Sequence, residues 1–440
     1  MTLVRAAHAA TYHIALVLAV ATLLAPRCVL AADGTALTLA DAQRQAVERS
    51  RQLVAQDAAI ASSREMAIAA GQLPDPVATI SVNNLPINGP NAWSFTEDFM
   101  TMRSVGVMQE LTRTEKREAR AERFAREADK GFAERTVAMA AIERDTALAW
   151  LERYYAEAQL AVIGEQVRQA ELEIEAGDAA YRTGRGTLAD LLMARSALVA
   201  LRDRASELSR KVTTAKIALA RWIGEAAQAP LGGKPAIDSI RLDPATLDGD
   251  LAHHPDIAVL ARKEDLAAAE VKIAHANKKA DWSIELMYSQ RGPAYSNMIS
   301  LNVSIPLQWD QKNRQDREVA AKLAMLDQAR AEREDMRRAH VAEVRAMLAE
   351  WESDCERSIR YTGELLPLAN ERTQAALAAY RGAKASIGDV LAARRGEIDV
   401  RLQALQLEAD TARLWAQLNF LVPVEDATHH LGPHQPKESQ

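Results

Sequence analysis

Hydrophobic and polar positions alternate along this chain with two distinct periods. Four short segments, 77–84, 104–111, 282–290 and 298–305, alternate with period two, which predicts strands with one apolar and one polar face. Their apolar positions are Ala78, Ile80 and Val82; Val105 and Val107; Trp282, Ile284, Leu286 and Tyr288; and Ile299, Leu301, Val303 and Ile305. The positions between carry Thr79, Ser81 and Asn83; Ser104; Ser283, Glu285 and Ser289; and Ser300, Asn302 and Ser304. Elsewhere the period is helical. A helix is predicted from Leu39 to Ala70, and a second from Arg113 to Tyr181, which would extend on the order of 100 Å at ~1.5 Å per residue. After the break Thr183-Gly184-Arg185-Gly186, a return helix repeats every seven residues. Leu191, Leu198, Ala205, Val212 and Leu219 form one seam position, and Ala194, Leu201, Leu208, Ala215 and Trp222 the other, the pattern of a coiled coil.

Compared with itself, the chain repeats. Ala180-Tyr181-Arg182, Asp190, Leu192 and Arg195 recur 199 residues later as Ala379-Tyr380-Arg381, Asp389, Leu391 and Arg394. Val105, Val107, Leu111 and Lys116 recur at an offset of 196 as Leu301, Val303, Leu307 and Lys312, while Leu53, Ile80 and Val82 precede Ile257, Ile284 and Leu286 by 204. The difference of eight is a loop insertion within Leu85 to Arg103. The expected organisation is a first repeat at 32–228 with a helical hairpin at 113–224, a connector at 229–250, a second repeat at 251–423 with its hairpin at 313–421, and a flexible tail at 424–440. In the second return helix Val390, Ala404 and Leu418, with Ala393, Val400, Leu407, Leu414 and Leu421, continue the heptads, but Glu397 and Thr411 interrupt a seam, so looser or partly wet packing is expected there.

Composition narrows the class. In 440 residues there are 5 Phe, 8 Tyr and 7 Trp beside 26% charged residues, as suits long helices with narrow seams and not a thick globular core. The net charge of −6 and the lack of a sustained Lys/Arg tract argue against nucleic acid as a partner. Residues 1–31 carry Arg5, an apolar run from Ile14 to Leu24 and small residues at Ala31-Ala32, which reads as a secretory signal peptide. Its removal takes Arg5, Arg27 and Cys28, leaves the mature chain more acidic, and leaves Cys355 with no partner for an intrachain disulfide. No later run is apolar enough for a membrane helix, so a membrane span would have to be made by strands.

An apolar face on four strands needs a cover, and helices with narrow seams do not supply one. Lipid can, with Trp282 and Trp309 as an aromatic girdle on the periplasmic side. Four strands cannot close a barrel, and an open edge cannot persist in hydrocarbon, so the barrel is expected to be assembled from several chains.

The doubled order, Leu73-Pro74-Asp75-Pro76 ahead of the first strand, Ser304-Ile305-Pro306-Leu307 closing the fourth, and the Tyr-Arg turns followed by Asp-Leu-Leu or Asp-Val-Leu resemble the TolC family of outer-membrane efflux ducts over about residues 37–423. The segment from Asn84 to Arg103 looks most like members serving heavy-metal pumps of the resistance-nodulation-division type. The resemblance implies a mixed α and β membrane protein, four strands per protomer, a homotrimer with a 12-stranded β-barrel in outer-membrane lipid, and a periplasmic α-barrel of coiled-coil helices. It further implies a periplasmic adaptor, an inner-membrane pump, a Gram-negative outer-membrane location, no cofactor and no catalysis. In keeping with that, there is no G-x-S-x-G, H-E-x-x-H, C-x-x-C or phosphate-binding glycine loop.

Candidate sites follow. Arg182, Gly184 and Arg185, and Arg381, Gly382 and Lys384, occupy the two tight turns; they serve either an adaptor's docking or the turn itself, through glycine conformation and bases at helix C-termini. By resemblance, Tyr380 and Asp389 match a periplasmic gate, with Asp190 as the first-repeat counterpart; Ala392 stands where a second acid would complete a double ring. Three Asp389 carboxylates near a threefold axis would repel one another and attract cations. Against this, Thr187-Leu188-Ala189-Asp190 and Ser386-Ile387-Gly388-Asp389 both fit a helix-starting capping box. Met100, Met102, Met108, Met287 and Met298 share the parity of the serine-rich faces, and soft thioethers there suit Cu(I) or Ag(I), with packing or chance as the competing reading. His429, His430 and His434 lie in the tail, and His254-Pro255-Asp256 reads as a helix start. The expected function is a passive conduit for metal cations; the alternatives are a duct for drugs or secreted polypeptide, and a soluble periplasmic coiled-coil scaffold or adaptor.

Overall fold

The computed structural model describes residues 36–184, 186–241, 254–382 and 384–423. The expected signal peptide, the tail with its three histidines, the connector beyond Arg241 and the tip residue Arg185 lie outside the described residues.

The chain opens with α1 (Leu39–Arg49) and α2 (Arg51–Ala70). A single helix was expected here; Ser50 divides it, with its backbone extended at ψ 114° and its hydroxyl accepting the Leu53 N–H at 3.2 Å. A serine that caps the next helix ends the previous one. Strands β1 (Val77–Asn83) and β2 (Met102–Leu111) follow, then α3 (Thr114–Arg182, 69 residues) and α4 (Leu188–Ile223). After the connector come α5 (Pro255–Ala276), β3 (Trp282–Gln290), β4 (Met298–Ser304), α6 (Gln315–Arg360), α7 (Leu366–Arg381) and α8 (Ile387–Asn419).

The second long helix is not continuous. A π turn, Tyr361–Leu365, joins α6 to α7 just ahead of Pro367. Proline has no N–H and its ring collides with the carbonyl one turn back, so a wider turn relieves the clash. The first repeat has no proline at the corresponding place, and α3 runs unbroken.

The helices pack side by side: α3 against α2, α4 and α5, α5 against α6, and α8 against α3, α6 and α7. Leu191, Leu198, Leu208, Val212 and Leu219 bury the seam of α4. Where α1, α3, α4 and α8 meet, Trp150, Ile142, Ile223, Ala412 and Phe420 make the largest core, and Trp150 Nε1 donates to the Leu37 carbonyl at 3.1 Å. The buried Arg153 donates to the Ala227 and Ala229 carbonyls at 2.8 and 2.9 Å, while Trp351 and Trp415 donate to those of Ile237 and Ser239, so that the described connector is strapped to the helices.

Glu397 and Thr411 do not loosen their seam. Both are buried; Glu397 pairs with Arg401 at 2.8 Å and the Thr411 hydroxyl donates to the Leu407 carbonyl at 2.8 Å. Each finds its partner one turn away on its own helix, so no water is needed to satisfy it.

The four strands form one antiparallel sheet in the order β1-β2-β3-β4, with β2 and β3 pairing across the two halves of the chain. Lys116 and Asp281 meet at 2.7 Å just below this junction, and Asp281 also accepts the Arg113 N–H at 3.0 Å.

Candidate functional site

The register aligns apolar residues across all four strands. Ala78, Val107, Leu286 and Leu301 form one row, and Ile80, Val105, Tyr288 and Ile299 another. These residues are bare: Ile80 is 86% exposed, Ile299 76% and Leu286 56%. On the opposite face Ser104 and Ser289 are each only 4% exposed and share a hydrogen bond of 2.8 Å. A sheet in water hides its apolar side, so this one is arranged for a non-aqueous surrounding on that side. Among the described residues no helix is long and apolar enough to cross a membrane, and none covers the bare face. β1 and β4 each keep one free edge, and because directions alternate through the sheet they run antiparallel to one another.

Met108, Met287 and Met298 lie on the polar face. Met108 stands opposite Val77 and Glu285, Met287 opposite Gly106 and Ser300, and Met298 opposite Ser289. Met102 begins β2, two residues earlier than the alternation suggested, and pairs with Asn83. Met100 lies outside the sheet, its N–H held by Asp98 at 2.8 Å. Thus no two of the five are directly opposite; three are diagonal neighbours, which in a sheet means about 7–8 Å between backbones. They form a sparse track and not one ligand cluster.

At the first tip α3 ends with Arg182 paired to Asp178 at 2.7 Å, and Gly184 at φ 73° turns the chain in a conformation that favours glycine. At the second, Gly382 has φ −83°, which any residue adopts, so glycine is not required there; the residue that aligns with Gly184 at the 199-residue offset is Ala383, outside the described residues. The Lys384 N–H donates to the Ala379 carbonyl at 2.8 Å, and Arg381 and Lys384 are exposed.

Both acids beside the turns sit in capping boxes. The Asp190 N–H donates to the Thr187 hydroxyl at 3.1 Å and its carboxylate accepts the Thr187 N–H at 3.3 Å; for Asp389 and Ser386 the distances are 3.2 and 2.9 Å. In the single chain the Ser386 hydroxyl and amide hold the Asp389 carboxyl below its ordinary pKa. Asp389 and Tyr380 are both exposed.

Sequence reasoning passed over the ties between hairpins. Arg394 on α8 reaches Glu173 at 2.5 Å and Gln169 at 2.7 Å on α3, and Arg204 on α4 reaches Asp399 on α8 at 3.1 Å, around a cleft of about 240 Å³. Arg394 stood out only as a repeated residue. His254 does cap α5, its Nδ1 accepting the Asp256 N–H at 3.3 Å, but its contact with His340 had no sequence signal. Burial first, and the neighbouring His340 ring second, push its pKa down to about 4, leaving it neutral at ordinary pH. Among the described residues no group of three or more His, Cys, Asp or Glu is placed to hold a metal ion.

A mostly helical chain with this small antiparallel sheet has the TolC-like channel fold. It resembles a membrane protein from Pseudomonas aeruginosa (TM-score 0.74, 17% identity, covering 87% of this chain and 91% of that one). CusC, described in connection with transmembrane channel formation, gives a TM-score of 0.72 at 18% identity over 87% and 92% of the two chains. The CmeC outer membrane channel of Campylobacter jejuni gives 0.71 at 13% over 89% and 88%. Residues 247–422 match the family described as outer membrane efflux protein. No curated protein matches the chain.

Proposed function

We propose that the chain is the outer-membrane duct of a tripartite efflux system, acting as a passive homotrimeric conduit for heavy-metal cations. The observation that carries this is the inverted sheet, bare on its apolar side and with Ser104 and Ser289 buried against each other on the polar one. Three copies, each adding its β4 edge antiparallel to the next copy's β1, close a twelve-stranded barrel with no unpaired rim in hydrocarbon. Trp282 and Trp309, 46% and 88% exposed, then lie at the lipid–water boundary. The helices α3, α4 and α6 to α8 continue the barrel into the periplasm, α3 alone by about 100 Å. Arg182, Gly184 and Arg185, with Arg381, Gly382 and Lys384, form tips for an adaptor, and Tyr380, Asp389 and Asp190 border the narrowed entrance. The energy for transport enters through an inner-membrane pump.

The metal reading draws on the methionine track and on the long segment between β1 and β2. It is tested by disc assays with copper, silver, zinc and antibiotics on a deletion strain, alongside current measurements on purified protein in planar bilayers. A metal-sensitive deletion strain whose tolerance is restored by the gene supports it; wild-type metal tolerance with antibiotic sensitivity moves the cargo to drugs. A monomer that conducts no current removes the duct altogether.

A further inference from the structure

Of the residues that the four strands place on the apolar side of the sheet, Arg103 alone is charged. It shares the parity of Val105 and Val107 and stands between Val82 of β1 and Gln290 of β3, in the last row before the loops that join β1 to β2 and β3 to β4. The acids of the strands, Glu110 and Glu285, are both on the opposite side. Arg103 is half-buried, its Nε is covered with no hydrogen-bond partner, and among the described residues no carboxylate pairs with its guanidinium. Just beyond that row, the segment between β1 and β2 carries bare apolar side chains: Ile87 is 70% exposed, Trp93 66% and Phe99 55%. The segment is pinned in place. The Trp93 N–H donates to the Pro86 carbonyl at 2.7 Å, the Thr101 hydroxyl to that of Asn84 at 3.1 Å, and Arg291 Nε to that of Phe99 at 3.0 Å.

A cation on the outside of a barrel is costly at the bilayer midplane and nearly free at its boundary, so its height along the strand decides its role. Arg103 lies eight residues along β2 from Leu111, which pairs with Trp282 at the inner girdle. At ~3.4 Å per residue and a tilt of about 35–45°, that is roughly 20 Å of height. The apolar band of such a barrel is about 25 Å tall, and a long basic side chain snorkels across the remainder. With Trp282 at the inner boundary, the guanidinium therefore reaches the outer headgroup level. The anion found there is phosphate, and the planar fork of arginine matches two phosphate oxygens. We propose that Arg103 binds the phosphate of an outer-leaflet lipid, with Ile87, Trp93 and Phe99 bedded in the same boundary. The inference rests on the duct reading, because it needs lipid on that side of the sheet.

Two other partners fit less well. A carboxylate from a neighbouring copy is out of place, because copies join through β1 and β4 and Arg103 is on β2. The nearest strand of a neighbour would be its β4, two strand spacings or about 10 Å away, and β4 carries no acid. A free, hydrated phosphate would meet the cation but would leave the apolar surroundings bare, since Val82 and Val105 beside Arg103 are 47% and 51% exposed. A lipid satisfies both at once, its phosphate on the guanidinium and its acyl chains on the valines below.

The test uses the full-length protein purified in mild detergent, delipidated and titrated with diphosphoryl lipid A. Native mass spectrometry counts the lipid bound and shows in the same spectrum that each variant is still a trimer. The wild type is expected to retain one lipid per chain. Arg103→Gln is expected to weaken retention about tenfold or more, as loss of a hydrogen bond to a charged group does. Arg103→Lys keeps the charge without the fork and is expected to fall between the two. Arg210→Gln, at an exposed position of α4, is expected to bind as the wild type does. Dephosphorylated lipid A is expected to bind the wild type no better than it binds Arg103→Gln, and excess inorganic phosphate to leave the lipid in place. If Arg103→Gln does not assemble, the preference for phosphorylated over dephosphorylated lipid, compared between wild type and Arg103→Lys, decides. Equal retention by wild type and the Arg103 variants, equal binding of the two lipids to the wild type, or displacement by inorganic phosphate overturns the proposal. Each can occur in a trimer that still conducts, whereas a monomer that conducts no current removes the duct reading itself.

Discussion

Leu286 tests the inverted sheet directly. It lies at the middle of β3 between Val107 and Leu301 and is 56% exposed. If lipid covers it, Leu286→Arg carries a charge into the middle of the bilayer, which on a barrel exterior costs about 2–4 kcal/mol per copy. A trimer holds three copies, so the assembly loses roughly 6–12 kcal/mol. If water covers it, the same change alters an exposed position and costs within about 0.5 kcal/mol. Asn302→Arg is the matched control: it is on β4, on the opposite face, with its side chain already bonded to Glu285 at 3.2 Å, and the new guanidinium meets a carboxylate in an aqueous lumen. Folding yield into lipid vesicles and the urea midpoint of the inserted protein measure both. Leu286→Arg is expected to insert poorly and Asn302→Arg nearly as well as wild type. Equal behaviour of the two, or undiminished insertion of Leu286→Arg, refutes the assignment of faces.

Gly184→Ala forces alanine to φ 73° and is expected to cost about 1–2 kcal/mol locally, while Gly382→Ala, at φ −83°, is expected to be neutral; faster amide exchange confined to the first tip is the readout. Ser386→Ala removes the cap of α8, at about 1 kcal/mol, and should let the Asp389 pKa rise toward its ordinary value in an NMR titration; an unchanged pKa rejects the capping account. The sign follows from the shift: the folded carboxyl titrates below its unfolded value, so its contribution is present above the usual carboxylate range and is lost as pH falls through the lowered pKa. Arg394→Ala cuts α8 from Glu173 and Gln169 and is expected to raise single-channel conductance in planar bilayers, with no change if the tie plays no part in holding the entrance narrow.

What a residue does within its own element was legible from the sequence. The period-two segments at 282–290 and 298–305 become β3 and β4 almost residue for residue, the capping boxes at Asp190 and Asp389 form where the spelling places them, and the Ser50 break and the π turn before Pro367 had local signals that a single-helix reading overrode. Periodicity, capping and proline chemistry act within a few residues, so they are written into neighbouring letters. The pairing of β2 with β3, the Arg394 tie to α3 and the contact of His254 with His340 join residues far apart in the chain. No local pattern encodes such meetings, because they arise only when helices pack and set which faces touch. Likewise, heptad arithmetic marked Glu397 and Thr411 as defects, but only the folded helix reveals that Arg401 and the Leu407 carbonyl satisfy them. The sequence therefore determined the elements and their polarity, and the tertiary structure decided which side chains became partners.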